Sequence, residues 1–201
     1  MREKRLFRLM LVFLVSGLAV SAQANLLTNG DFETGDFTGW WTWTADPENQ
    51  SVSIDTDYVY EGTYSAEFWS ASAEWSAQMG QGFEFGGDQE WILSFAYRAI
   101  TPSDWGSAGV AIDYYDADWN WLNYEWIELF NEGPAPNPGE WVLVENPYIT
   151  PTGTAHVELK FEVANWATVN FDNISAIPEP ATVAMMALGS AFVFLRKRKI
   201  S

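Results

Sequence analysis

The stretch HVELKFEV, residues 156–163, alternates apolar and polar side chains without interruption. Its apolar face consists of Val157, Leu159, Phe161 and Val163, and its polar face consists of His156, Glu158, Lys160 and Glu162. A period of two places successive side chains on opposite faces of an extended chain. The stretch therefore predicts a β-strand with one face in a core and the other toward solvent.

Shorter runs of the same kind occur along the whole middle of the chain. They cover residues 51–55, 63–69, 90–100, 109–115, 140–145 and 168–177. Clusters rich in glycine and proline separate them, namely GQGFEFGGD (80–88), NEGPAPNPGEW (131–141) and TPTGT (150–154), and these predict turns. Seven or more short strands without an amphipathic helical window predict an all-β domain, an antiparallel β-sandwich.

The charge of this middle region limits its partners. Residues 25–177 hold 25 of the 27 carboxylates and only two cations, Arg98 and Lys160, which gives a formal charge of −23. Nucleic acid is excluded as a partner because two cations cannot form a basic patch. Cations such as calcium suit this charge. The chain has no cysteine, so the domain must be stabilised by its core, with or without a metal ion, rather than by disulfides.

The N-terminus has the pattern of a secretory signal peptide. Four cations at positions 2, 4, 5 and 8 precede the apolar run 9–20, and Ala22 and Ala24 supply the small residues of a cleavage site. We expect cleavage after Ala24, so that residues 1–24 are a signal peptide and the protein is exported. An uncleaved short membrane anchor is the alternative.

The C-terminus carries a second targeting pattern, residues 178–201. Residues 181–195 are mostly apolar and would form a helix about 22 Å long, short of a hydrocarbon core of about 30 Å. Cations beside a membrane segment stay cytoplasmic, which places the domain outside the inner membrane. The pattern consists of Pro178, Glu179 and Pro180, the apolar run, and Arg196, Lys197, Arg198 and Lys199.

This combination resembles the PEP-CTERM sorting signal of exopolysaccharide-producing Gram-negative bacteria, with Ile177 where valine is usual. The resemblance implies recognition by an exosortase, transient passage through the inner membrane, and delivery to the cell surface or extracellular matrix. An ordinary single-pass anchor, for which about 20 apolar residues are typical, is the alternative.

Three segments of the domain resemble, in order, the start, middle and end of the galactose-binding-like jelly rolls that occur as carbohydrate-binding modules. They are NLLTNGDFETGDFTGW (25–40), YEGTYSAEF (60–68) and VNFDNISAI (169–177). The stretch YYDADWNWL (114–122) fits the central hairpin of that family, although glycine is more usual at the position of Trp119. The resemblance implies a jelly-roll β-sandwich over residues 25–177.

The same resemblance implies a structural calcium ion. In that family the opening segment and the last strand meet at the ion, so Glu33 and Asp172 would give carboxylates, and the loop around Gly62 and Ser65 would give main-chain carbonyls. Oxygen donors from distant segments are what calcium requires. The alternative is that both carboxylates are ordinary turn and edge residues. An EF-hand-like pattern at residues 116–127 is rejected because Trp121 and Ile127 replace its glycine and glutamate.

Aromatic residues suggest a second kind of site. A cluster formed by Trp105, Tyr115, Trp119, Trp121, Tyr124 and Trp126, with Asp113 nearby, is a candidate ligand-binding set. Sugar rings stack on flat side chains, and carboxylates accept their hydroxyl protons. The alternative is packing, since large aromatics usually belong to the core. We expect Trp40, Trp91 and Trp141 to be core residues.

An enzyme is the rival class of function. His156 is the single histidine and falls on the polar face of its strand, so no motif supports a histidine-based site. A carboxylate pair for glycoside hydrolysis cannot be recognised from spacing along the chain. We therefore expect an exported, non-catalytic surface or matrix protein that binds polysaccharide weakly. A structural matrix protein without a saccharide site and, less favoured, a carbohydrate-active enzyme are the alternatives.

The two targeting patterns predict the mass of the protein outside the cell. The released protein should begin at Asn25 and should lack the segment after residues 178–180. Intact-mass measurement on protein released from the cell surface tests both ends. Detection of Met1, or of the cations at 196–199, on extracellular protein would contradict the corresponding half.

Overall fold

The computed structural model describes residues 24–72, 76–101 and 105–179. The predicted signal peptide, apart from Ala24, and the predicted C-terminal helix lie outside the described residues. Among those that are described, no helix long and apolar enough to cross a membrane is found.

The described residues form two five-stranded antiparallel sheets. Sheet A contains, in spatial order, β1 (Trp41–Thr44), β4 (Ala77–Glu84), β9 (His156–Ala164), β6 (Ser107–Tyr115) and β7 (Trp121–Phe130). Sheet B contains β2 (Gln50–Asp55), β3 (Ser65–Ser70), β10 (Ala167–Pro178), β5 (Glu90–Ile100) and β8 (Trp141–Ile149). The predicted all-β sandwich is confirmed.

Three strands were not predicted. β4 runs through Gly80 and Gly82, where the glycine content predicted a turn, so the turn prediction was wrong for residues 80–84. β1 has four residues, too few for a recognisable period. β7 exposes Trp121, Leu122 and Tyr124 in near succession, which hides its alternation.

β9 lies at the centre of sheet A and alternates as predicted. Its residues Val157, Leu159, Phe161 and Val163 are completely buried. The Phe161 ring lies 4.9 Å from that of Phe171 on β10 and 5.3 Å from that of Phe95 on β5, and both partners belong to sheet B. Trp40 contacts the same ring from a distance of 6.0 Å. These aromatic rings join the two sheets.

The tryptophans expected in the core divide into two groups. Trp40 and Trp91 are buried, as predicted. Trp141 is only half-buried at the start of β8, where its ring lies 5.6 Å from that of Tyr60. The prediction of a core position was therefore wrong for Trp141.

The first and last segments of the domain are joined by hydrogen bonds. Leu26 N donates to Ala176 O at 2.8 Å, and Ile174 N donates to Gly30 O at 2.7 Å. The Asn25 side chain donates to Ile174 O and accepts from Ala176 N. β10 has an irregular register between Asp172 and Ser175 at this place. The opening segment is thus attached to the last strand by protein groups.

Removal of the Phe161 ring should be strongly destabilising. We expect Phe161→Ala to lower the free energy of unfolding by about 3–5 kcal/mol, because it opens a cavity between the two sheets. Leu143→Ala on β8 is the control, since Leu143 is 55% exposed and its loss should cost little. Urea unfolding followed by tryptophan fluorescence measures both. Equal midpoints for the two variants would contradict this account of the core.

Candidate functional site

The outward face of sheet A carries large aromatic side chains on both edge strands. We call this surface the aromatic face, and its flanking residues are Trp41 and Trp43 on β1 and Trp121, Tyr124 and Trp126 on β7. The strand register aligns Trp41, Gly80, Lys160, Ala111 and Trp126 in one row across the sheet. Four strand spacings separate the ends of this row, or about 19 Å between Cα atoms. A chain molecule can therefore touch both edges at once.

Two indoles on the edge strands lie over glycines of the neighbouring strands. A Cβ atom on Gly80 would lie 2.3 Å from Cζ2 of Trp41, and one on Gly109 would lie 2.2 Å from Cζ2 of Trp126. Any side chain at either glycine would displace the ring. Trp126 remains 46% exposed, so a broad part of its indole is available to a ligand.

The central strands place a charged pair between these indoles. Lys160 Nζ lies 2.6 Å from Asp113 Oδ2, and Trp121 Nε1 donates to Asp113 Oδ1 at 3.2 Å. Burial lowers the pKa of Lys160, but the hydrogen bond and charge of Asp113 outweigh it, and the pKa lies above its ordinary value. The lysine therefore stays charged, and the Asp113 carboxylate pairs with it.

Glu158 organises the neighbouring part of the face. Its two oxygens accept from Trp41 Nε1 at 3.1 Å and from the Tyr115 hydroxyl at 3.5 Å. Burial raises the pKa of Tyr115, and the charges of Asp113 and Glu158 raise it further. Tyr115 is thus a neutral hydroxyl that fixes a carboxylate beside an indole.

An open depression of about 210 Å³ occupies one end of the aromatic face. Trp126 and Gly109 line it, together with Glu128 on β7 and Glu162 on β9. Ser76 Oγ donates to Glu162 Oε2 at 3.2 Å and orients that carboxylate. The depression therefore combines an indole with two carboxylates.

The hairpin between β6 and β7 forms the other end of the face. Trp119 has a φ of +62°, the left-handed conformation that explains why glycine is the usual residue at this position. Its ring stacks on His156 with the centroids 4.1 Å apart and the planes 7° from parallel. His156 is on the outward face, as predicted, but it supports a tryptophan rather than merely facing solvent.

Asp116 closes this hairpin. Hydrogen bonds from the Asn120 side chain and from the main-chain N–H groups of Asn120 and Asp118 lower the pKa of Asp116. The carboxylate thus caps a turn.

The predicted ligand set divides by position. Asp113, Tyr115, Trp121 and Trp126 belong to the aromatic face, and Trp119 covers one end of it. Trp105 is exposed just before β6, at the strand end opposite Tyr115. Trp41 and Trp43 were missed, because their pairing beside β4 depends on a connection between distant segments. The repeated tryptophans in WTWT were the available signal.

The predicted metal residues also come together. Glu33 Oε1 accepts from Thr63 N at 2.7 Å and from Tyr64 N at 3.0 Å. Asp172 Oδ2 accepts from Tyr60 N at 2.9 Å and from Glu61 N at 3.1 Å. Both carboxylates therefore contact the loop between β2 and β3.

The remaining predicted ligands, Gly62 and Ser65, lie in or beside this loop. A Cβ on Gly62, whose φ is +82°, would lie 2.3 Å from Glu33 Oε1. Ser65 opens β3, and its hydroxyl donates to Tyr58 O. The main-chain groups that contact the carboxylates are N–H donors, whereas calcium takes oxygen ligands. No group of three or more acidic or histidine residues suited to a metal occurs within the described ranges.

The negative charge at the loop between β2 and β3 nevertheless suits a cation. Asp172 is completely buried. Burial raises its pKa, and the nearby Glu33 charge raises it further, although three main-chain N–H groups act in the opposite direction. A positive charge between the two carboxylates would relieve this cost.

A β-sandwich that displays tryptophans beside carboxylates on an open sheet has the form of a saccharide-binding module. Residues 24–168 match the family model of the carbohydrate binding domain CBM_4_9. The chain therefore belongs to the carbohydrate binding domain family. Residues 176–199 match the PEP-CTERM protein-sorting motif, which confirms the resemblance seen at the C-terminus. No curated protein sequence matches the chain.

Solved structures with a similar fold include carbohydrate-binding domains and a phage protein. The CBM22-1 xylan-binding domain of Xyn10C from Paenibacillus barcinonensis has a TM-score of 0.57 at 15% identity, over 80% of this chain and 97% of that one. TmCBM61, solved with β-1,4-galactotriose, has a TM-score of 0.51 at 19% identity, over 78% and 99%.

The enzymatically active domain of tailspike protein 4 from bacteriophage CBA120 has a TM-score of 0.62 at 15% identity. The match covers 77% of this chain but only 21% of the tailspike. At these identities the likeness concerns the fold, and it confirms the predicted jelly roll. The two matched families are a binding module and a sorting motif, not catalytic domains. They indicate an exported saccharide-binding surface protein.

Proposed function

We propose that this protein is sorted to the cell surface or extracellular matrix of a Gram-negative bacterium, where its aromatic face holds polysaccharide weakly without cleaving it. The observation that carries the proposal is the pair of indoles that lie over glycines from opposite edges of sheet A, Trp41 over Gly80 and Trp126 over Gly109. Indole rings on one open surface suit the apolar faces of successive sugar rings.

The expected affinity is low. At about 25 cal/mol per Å² of apolar surface, a few stacking contacts minus the cost of association leave micromolar to millimolar dissociation constants. Many copies displayed on one surface would compensate for weak single contacts.

The polar groups of the face support binding without catalysis. A glycosidase needs one carboxylic acid with a raised pKa beside a second, ionised carboxylate. On the aromatic face, Asp113 contacts a lysine and an indole N–H, and Glu158 accepts from two side chains.

The partner in transit is an exosortase-type enzyme in the inner membrane. The match to the sorting motif begins within β10, which continues to Pro178, and Glu179 N donates to Glu90 O at 2.9 Å.

Loss of an indole from the aromatic face should weaken polysaccharide binding. We expect Trp41→Ala and Trp126→Ala each to lower affinity about 5- to 20-fold, because each removes one stacking surface. Trp69→Ala is the matched control, since Trp69 is 39% exposed on the outward face of sheet B. Affinity electrophoresis of the full-length chain in gels containing neutral glucans, xylan or the producer's own exopolysaccharide measures the effect.

Three results would contradict the proposal in different ways. Equal weakening by Trp69→Ala would place binding elsewhere. No retardation in any gel would favour a structural matrix protein without a saccharide site. Release of reducing ends would show catalysis.

We also propose that a calcium ion is held by Glu33 and Asp172 and stabilises the contact between the opening segment and the last strand. The proximity of an exposed and a buried carboxylate at one loop supports it. The ion would supply the positive charge that Asp172 lacks. Without the ion, the raised pKa of Asp172 makes the free energy of unfolding fall as pH rises from about 4 through that pKa.

Calcium should therefore raise the melting temperature. At a hundredfold excess over its dissociation constant the ion contributes about 2.7 kcal/mol, or about 5–10 °C for a domain of this size. Asp172→Asn should abolish the response to calcium and chelator. Asp116→Asn, which alters a carboxylate in another loop, should retain it. Identical melting curves of the unaltered protein with calcium and with chelator would show that the N–H contacts suffice alone.

A further inference from the structure

The aromatic face carries more negative than positive charges. Five outward carboxylates of sheet A accompany a single cation, Lys160, and they are Glu84, Asp113, Glu128, Glu158 and Glu162. Asp113 engages that cation in the one salt bridge found among the described residues. The other four carboxylates form no salt bridge within the described residues.

Two of these carboxylates flank one indole. In the strand register Gly109 is opposite Glu128 on β7 and opposite Glu162 on β9. The six-membered ring of Trp126 lies over Gly109, since its Cζ2 and Cη2 atoms are the nearest to a Cβ built there. The ring thus lies between Glu128 and Glu162, and all three residues line the depression.

The carboxylates differ in how they are held. Glu162 accepts from Ser76 Oγ, which in turn accepts from Gln78 Nε2 at 2.9 Å, so this carboxylate is oriented by a chain of donors. Glu128 is exposed at the edge strand. A ligand group that enters the depression therefore meets one fixed carboxylate and one adjustable carboxylate.

We propose that this end of the aromatic face is a subsite for a sugar with an unsubstituted, protonated amino group, an amino sugar of a cationic polysaccharide. The inference rests on the proposed function and names the ligand class of the same site. A sugar stacked on Trp126 would direct its equatorial substituents toward Glu128 and Glu162.

An ammonium group at that position gains three favourable interactions. It donates charge-assisted hydrogen bonds to both carboxylates and contacts the π face of the indole. A volume of about seven water molecules admits the amino-bearing edge of one sugar ring. A uronate would instead meet two like charges, so the subsite discriminates by repulsion as well as by attraction.

Oligosaccharides that share a backbone test this inference. Isothermal titration of the full-length chain at low salt and about pH 6 would compare chitosan and chitin oligosaccharides of equal length, which differ by free and acetylated amines. Cello-oligosaccharides and oligogalacturonates provide neutral and anionic references. We expect chitosan to bind about tenfold more tightly than chitin, and oligogalacturonate more weakly than either.

Isosteric variants assign the preference to residues. Glu128→Gln and Glu162→Gln should each lower the ratio of chitosan affinity to chitin affinity about threefold. Glutamine at 162 can still accept from Ser76. Glu145→Gln on the exposed face of β8 removes the same charge from sheet B and should change nothing. Melting temperatures within about 2 °C of the unaltered protein would show that the variants fold.

The outcomes separate this inference from the proposed function. If neutral oligosaccharides bind and Trp126→Ala weakens them, but chitosan binds no more tightly than chitin, the aromatic face is a binding site and the amino-sugar subsite is wrong. If Glu145→Gln lowers chitosan affinity as much as Glu162→Gln does, net charge explains the preference and the subsite is again wrong. If no oligosaccharide or polysaccharide binds, both fall.

Discussion

The alternation of β9 determines both the core and the candidate site. Its inward residues, among them Phe161, fill the space between the sheets, and its outward residues Glu158, Lys160 and Glu162 form the floor of the aromatic face. A slip of one residue in register would exchange the two sets. Three charged side chains would then enter the core while Leu159 and Phe161 became exposed. Selection for a stable core therefore also fixes the position of the polar groups that a ligand would meet.

The edge strands depend on this central strand in a different way. Within the part of the chain that the structure describes, β1 and β7 are the edge strands of sheet A, so their large side chains can lean inward over the neighbouring strands. Gly80 on β4 and Gly109 on β6 make room for that. Glycine normally weakens a strand because it has no side chain to pack. Here the indoles of Trp41 and Trp126 supply the missing packing, and the same contact positions each ring.

The sequence allowed prediction of those features that depend on local pattern. The period of two at residues 156–163 predicted β9 and the antiparallel sandwich, and the paired tryptophans near residue 121 predicted one edge of the aromatic face. The other edge could not be predicted, because Trp41 reaches this face only through the pairing of β1 with β4. Gly80 suggested a turn because the ring that covers it, that of Trp41, belongs to another strand and is not apparent from the local sequence.

Prediction of the residues at the ends of the candidate sites was limited by similar long-range contacts. In the resembled family glycine is more usual at the position of Trp119, and the left-handed backbone there agrees with this. The stacking of Trp119 on His156, however, joins residues 37 positions apart. The meeting of Glu33 with Asp172 followed from resemblance to a family. The direction of the N–H groups in the loop between them is a property of backbone conformation, which residue type alone does not determine.

The two cations of the acidic domain explain how so negative a chain keeps a selective surface. Arg98 is nearly buried in sheet B, where its guanidinium lies 3.7 Å above the Tyr58 ring and Nε donates to Gly139 O at 2.9 Å. Lys160 is held by Asp113 in sheet A. Because each of these cations already contacts groups of the protein itself, neither is an unpaired positive charge at the surface. The domain therefore repels anionic polymers, and a ligand can be attracted only by aromatic stacking or by its own positive charge.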